Sequence, residues 1–114
     1  MQSFHIYLYG PDCGPINTTF EATALRLEQL PRLCFEPDGS FVWTQFGGEE
    51  QIFGMLYDAN DSLQYVELRG QCLHETWQRL ITAIKGKCSH DLAVLCLPER
   101  QLQDLQGFEK AAFC

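Results

Sequence analysis

A thiol and an imidazole two residues apart can hold one metal ion between them, and this chain carries two such triplets, Cys72-Leu73-His74 and Cys88-Ser89-His90. The segment between them has helical periodicity, and a helix of about 14 residues keeps its ends about 20 Å apart. One ion therefore cannot join the triplets. No Cys-x-x-Cys pair supplies a substitute, so no metal site is expected. Asp58-Ala59-Asn60-Asp61 offers oxygen ligands but lacks the alternating acids and closing Glu of a calcium loop, and it reads as a turn. Gly10, Gly14, Gly47 and Gly48 miss the spacings that cradle a phosphate. His5, His74 and His90 each have a structural place, on a strand face, in a first helical turn and in a loop. These spacings assemble no catalytic set and call for no cofactor.

Cys13 is the candidate reactive thiol. A strand-like run ends at Gly10, and Cys13-Gly14-Pro15-Ile16 leads toward a helix start. That order is similar to the thioredoxin-like arrangement, in which a helix N-terminus lowers a thiol pKa. The resemblance covers these few residues only. Ile16 stands where a dithiol motif has its second cysteine, and antiparallel hairpins follow the helix where that fold has a second crossover. The simpler expectation for Cys13 is a loop residue.

Aromatic side chains are the more distinctive feature. His5, Tyr7 and Tyr9 alternate with Phe4, Ile6 and Leu8; Phe41 pairs in period two with Trp43; Phe53, Met55 and Tyr57 form a third set. A sheet covered by helices on one side is expected to be polar on the other, yet here the alternate faces are apolar as well. Tyr7, Tyr9, Trp43 and Tyr57 are therefore the candidate binding face. It is either buried by the chain's own extra hairpin or terminal helix, or it meets something outside the chain. A second copy giving a homodimer, or a ligand in an aromatic cleft, fits the latter account.

The elements that must position these residues follow from periodicity and punctuation. Ser3 to Tyr9 is a strand. Thr18-Thr19-Phe20-Glu21 fits a capping box opening a helix with Phe20, Ala24, Leu27 and Leu30 on one stripe, stopped by Pro31. Leu33–Glu36 and Ser40–Phe46 flank Pro37-Asp38-Gly39; Glu50–Tyr57 and Leu63–Arg69 flank a longer loop, and Gly47-Gly48 joins the two hairpins. Leu73, Trp77, Leu80, Ile81 and Ile84 mark one face of a second helix that closes at Lys85-Gly86-Lys87. Asp91 to Leu97 is an apolar strand, and Glu99 to Gln106 reads as a short terminal helix. The expected order is β-α-β-β-β-β-α-β-α, an α+β fold with a mostly antiparallel sheet and two helices packed on one face. Without one hairpin and the last helix it resembles the βαββαβ ferredoxin-like plan.

Composition bounds the rest. With 114 residues, 46% hydrophobic and 20% charged, residues 1–114 are expected to form a single domain. No apolar run approaches the length that spans a bilayer, and the N-terminus has no basic leader, so a cytoplasmic protein with no membrane association is expected. Six cysteines without a secreted context are expected to stay mostly reduced and mostly buried, Cys34 and Cys96 among them. The net charge is −7, and no Lys or Arg occurs between Leu33 and Leu68 while seven acids do. That span is a poor surface for nucleic acid. It suits a basic protein partner, which makes an acidic inhibitor a further reading; a solvated acidic surface is the plainer one. The function expected is a non-enzymatic interaction or self-associating module, with a small-molecule binding or enzymatic domain built on the aromatic cleft as the alternative.

Overall fold

The computed structural model of the protein describes residues 1–45, 47–87 and 91–113. Cys88-Ser89-His90, the second of the two Cys-x-His triplets, lies outside the described residues, as does Phe46.

The alternation in the first segment becomes β1 (Ser3–Tyr9), which buries Phe4, Ile6 and Leu8 and turns His5, Tyr7 and Tyr9 the other way. Gly10 opens a single 3-10 turn, Pro11–Cys13, held by the Gly10 amide on the Gly14 carbonyl. Helix α1 (Phe20–Glu28) follows. Its N-cap is Thr19, whose hydroxyl accepts from the Ala22 amide at 3.1 Å. The expected cap at Thr18 is thus displaced by one residue, because the Thr18 hydroxyl accepts instead from Arg26. Two hairpins come next, β2 (Leu33–Phe35) with β3 (Ser40–Thr44), then β4 (Gln51–Ala59) with β5 (Ser62–Gln71). Helix α2 (His74–Lys85) buries Trp77, Leu80, Ile81 and Ile84, whereas Leu73, expected on that face, is the exposed N-cap. The last elements are β6 (Ala93–Cys96), β7 (Gln101–Asp104) and α3 (Leu105–Phe113).

The seven strands form one sheet in the order β2-β3-β4-β5-β1-β6-β7, every neighbouring pair antiparallel. Two expectations are corrected here. Residues 101–104 are not helical but an edge strand, with Leu102 opposite Leu95, and the terminal helix begins only at Leu105. Moreover, three helices rather than two lie on one side of the sheet among the described residues. Phe108 of α3 packs edge-on against Phe4 at 6.3 Å and tilted against Trp77 at 5.3 Å, so α3 joins α1 and α2 on the face that Phe4 occupies.

Arg26 ties the first two helices together. Its Nε donates to the Ala83 carbonyl at 2.7 Å and an Nη to the Ile84 carbonyl at 3.0 Å, so a cation closes the C-terminal end of α2, where the helix dipole favours it. Burial lowers the Arg26 pKa from its ordinary value. The turn after α2 leaves through Gly86 at φ 60, where a Cβ would meet the Arg26 guanidinium. Gly54 has a similar role inside the sheet, because the Phe41 ring fills the space a side chain would take. No helix among the described residues is long and apolar enough to cross a membrane.

Candidate functional site

Because every strand pair is antiparallel, residues directly opposite one another share a face, and the register gives the side away from the helices as four rows. The first runs Val42, Phe53, Arg69, His5. The second runs Ser40, Met55, Glu67, Tyr7, Leu95, Leu102. The third runs Tyr57, Tyr65, Tyr9, Ala93, Asp104, and a fourth, on the far side of the first, runs Thr44, Gln51, Gln71, Ser3. These side chains stay half-exposed or exposed, with Phe53 at 42% and Leu102 at 55%. Neither the extra hairpin nor the terminal helix covers them, since all three helices lie on the opposite side.

Tyr65 reaches this face through a bulge. Pairing between β4 and β5 slips after Tyr57 opposite Tyr65, so that Asp58 faces Leu63. The inserted residue turns Leu63 into the core while leaving Tyr65 outward, although the two share one parity in the sequence. Tyr65 then stacks on Tyr57 with ring centres 4.5 Å apart, and on Tyr9 at 5.3 Å, with Tyr7 tilted against it at 5.3 Å. Rings at these separations pack against one another and leave no slot between them for a ligand ring.

Glu67 sits in the second row. Its carboxylate meets His5 Nε2 at 2.7 Å and accepts from the Tyr57 hydroxyl at 3.2 Å. Partial burial, followed by the neighbouring carboxylate, raises the Tyr57 pKa, which keeps the phenol a donor. Tyr9 is raised too, by burial first and then by Tyr65 and Tyr7. Arg69 lies over the Phe53 ring, 5.5 Å from its centre.

Of the four candidate residues, Tyr7, Tyr9 and Tyr57 come together, but Trp43 does not join them. It lies on the helix side at 1% exposure, with Nε1 donating to the Pro31 carbonyl at 2.8 Å and Arg79 over its ring at 5.4 Å. The indole belongs there because Trp43 stands opposite Ile52, which is also buried. Sequence reasoning missed Tyr65 and Glu67. Counting residues through the hairpin loop puts Tyr57 near Tyr65, but the bulge that fixes their side is written in no residue type.

Cys13 is exposed and lies in the 3-10 turn, seven residues before α1 begins. Cys34, expected to be buried, is exposed on edge strand β2, where β3 covers only one side. Cys72 is buried, and desolvation, with Glu50 adding to it, pushes its thiol up to about 12. Cys96 is half-buried, and its sulfur takes a 3.3 Å contact from the Gln103 amide. Among the described residues, no three His, Cys, Asp or Glu side chains gather as a metal site would require.

A cleft of about 510 Å³, sharing His5 and Arg69 with the first row, opens where β1 runs beyond the end of β6. Ser3, Phe4, His5, Arg69, Glu99 and Phe108 are among its walls. Against known families, curated proteins and solved structures, the chain matches no family model, no protein and no structure.

Proposed function

We propose that the protein is a non-enzymatic docking module that binds another protein through the open face of its sheet. The carrying observation is the uncovered tyrosine ladder, Tyr57–Tyr65–Tyr9 with Tyr7, flanked by Phe53, Met55 and Leu102. Tyrosine brings large contact area with a hydroxyl that tolerates water, which suits a face exposed before binding and covered after it. The filled ring-to-ring spacing and the already partnered Glu67 favour a flat partner over a small molecule. The scaffold supporting this reading is a ferredoxin-like core: β1, α1, β4, β5, α2 and β6, with strands in the order β4-β5-β1-β6, enlarged by the β2–β3 hairpin and β7.

A photo-crosslinking amino acid tests this when placed at Met55, in the second row, and at Gln78, exposed on α2, as control. Irradiation in cells expressing the full chain yields protein adducts from position 55 and not from position 78. Equal yields from both positions, or none from position 55, contradict a docking face.

The cleft favours a second reading, a small-molecule site. It is concave and brings Ser3, His5, Arg69 and Glu99 together, the mixture of apolar wall and few polar groups that ligand sites show. A basic partner has less support. The acids between Leu33 and Leu68 lie mostly in turns, and Glu67 is the one placed well inside a strand.

A further inference from the structure

The distribution of charge on the open face selects a partner. Arg69 is the only Lys or Arg in any strand among the described residues; Glu67 is the acid at the centre of the face and Asp104 the one at its β7 edge, so the face offsets most of its own charge within a protein of net charge −7. A second copy, repelled elsewhere by like charge, meets the least repulsion here. The face is also polar from end to end. Arg69 and His5 occupy the first row; the tyrosine ladder occupies the third, with Asp104 at its end, and the turns just beyond it carry Asp12 and Asp61.

Size points the same way. The fifteen positions of the first, second and third rows, at about 4.8 Å between strands and about 6.8 Å between rows, give about 500 Å² per copy and about 1,000 Å² in total. That is the lower bound for a specific, reversible interface.

We infer that the face docks a second copy of this chain, with a two-fold axis running across the strands, so that Arg69 of each copy lies over the Tyr57–Tyr65 pair of the other. An axis along the strands would instead set Arg69 against Arg69 and acid against acid. In the inferred arrangement the guanidinium gains aromatic faces and the acidic rim beyond them. Glu67 enters already engaged by His5 and Tyr57, so the carboxylate is not left unpaired when covered. Glu99 and Glu49, near the Arg69 end, stay at the rim.

The inference rests on the docking reading but can fail without it. Sedimentation equilibrium of the purified full chain, from about 10 μM to about 1 mM, spans the affinity of an interface this size. The expected mass rises with concentration from 13.1 kDa to twice that value. Arg69→Glu weakens association at least about tenfold, because it sets a carboxylate against the acidic rim. Arg69→Lys retains most of the association and Gln78→Glu all of it. Met55→Lys, in the second row, abolishes dimers independently of any effect at position 69, and unchanged tryptophan fluorescence verifies that each variant is folded. A mass of 13.1 kDa at every concentration overturns the inference, as does a folded Arg69→Glu that dimerises like the wild type. If the chain is monomeric yet position 55 crosslinks to proteins of other mass, the second copy is wrong and the docking face stands. If position 55 gives no adduct of any mass, both readings fall.

Discussion

The two faces of the sheet carry similar amounts of aromatic surface and use it in opposite ways. Both tryptophans, Trp43 and Trp77, lie on the helix-covered side at 1% and 0% exposure; all four tyrosines lie on the other, half-exposed and stacked on one another. Each indole N–H is satisfied inside the molecule, Trp43 by the Pro31 carbonyl and Trp77 by Glu109 at 2.8 Å. Of the phenols, Tyr57 has an internal acceptor in Glu67, and that acceptor lies on the open face itself. The covered face is therefore complete, whereas the tyrosine face has its rings packed sideways with no helix of the described residues above them. Aromatic content alone does not distinguish a core from a surface. The distinction lies in what stands opposite.

The sharpest way to break this comparison is to truncate one ring on each face. Trp43→Ala removes a buried indole and leaves a cavity and an orphaned carbonyl; it is expected to cost about 3–5 kcal/mol in urea denaturation. Tyr57→Ala removes a cross-strand stack from a half-exposed face and is expected to cost no more than about 1 kcal/mol, measured dilute enough to keep the chain monomeric. Equal losses would mean that the tyrosine face is a second core and not a docking surface.

These two residues also show how far the sequence could be read. Period-two alternation correctly grouped Phe41 with Trp43, and Phe53 and Met55 with Tyr57, and it identified β1 with its true bounds. Alternation cannot say which parity faces the helices, because that depends on register between strands. Hence Trp43 and Tyr57 were expected together and fold apart. Residues 101–104 failed for a related reason. Leu102 and Leu105 are three apart, which suits a helix, and two apolar markers cannot separate a period of 3.6 from one of two. Pairing with β6, a tertiary contact, decides for strand. The capping signal at Thr18-Thr19 was right in kind and off by one residue, because Arg26 competes for the Thr18 hydroxyl.

A smaller effect sharpens the contrast from the covered side. The Cys72 thiol, ordinarily near 9.0, is held up to about 12 by burial and Glu50. Below 9.0 the thiol is protonated whether the chain is folded or not. Between 9.0 and about 12 the unfolded chain gives up the proton first, the native state holds more protons, and stability falls as pH rises. Tyr9 and Tyr57, raised above 10.0, act in the same direction at still higher pH. Thermal melts of wild type and Cys72→Ala, from neutral pH to just above 9.0, isolate the thiol's share: the wild type is expected to lose stability more steeply than the variant. Parallel pH profiles would place Cys72 in contact with water.

The most direct test of the central claim uses the separation of residue types between the two faces. Fluorine NMR of protein labelled with fluorotyrosine and, separately, with fluorotryptophan reports the open face through Tyr7, Tyr9, Tyr57 and Tyr65 and the core through Trp43 and Trp77. Tyrosine resonances that shift and broaden as protein concentration rises, with tryptophan resonances unmoved, are the result this account predicts. Tyrosine resonances indifferent to concentration, or tryptophan resonances shifting with them, would contradict it.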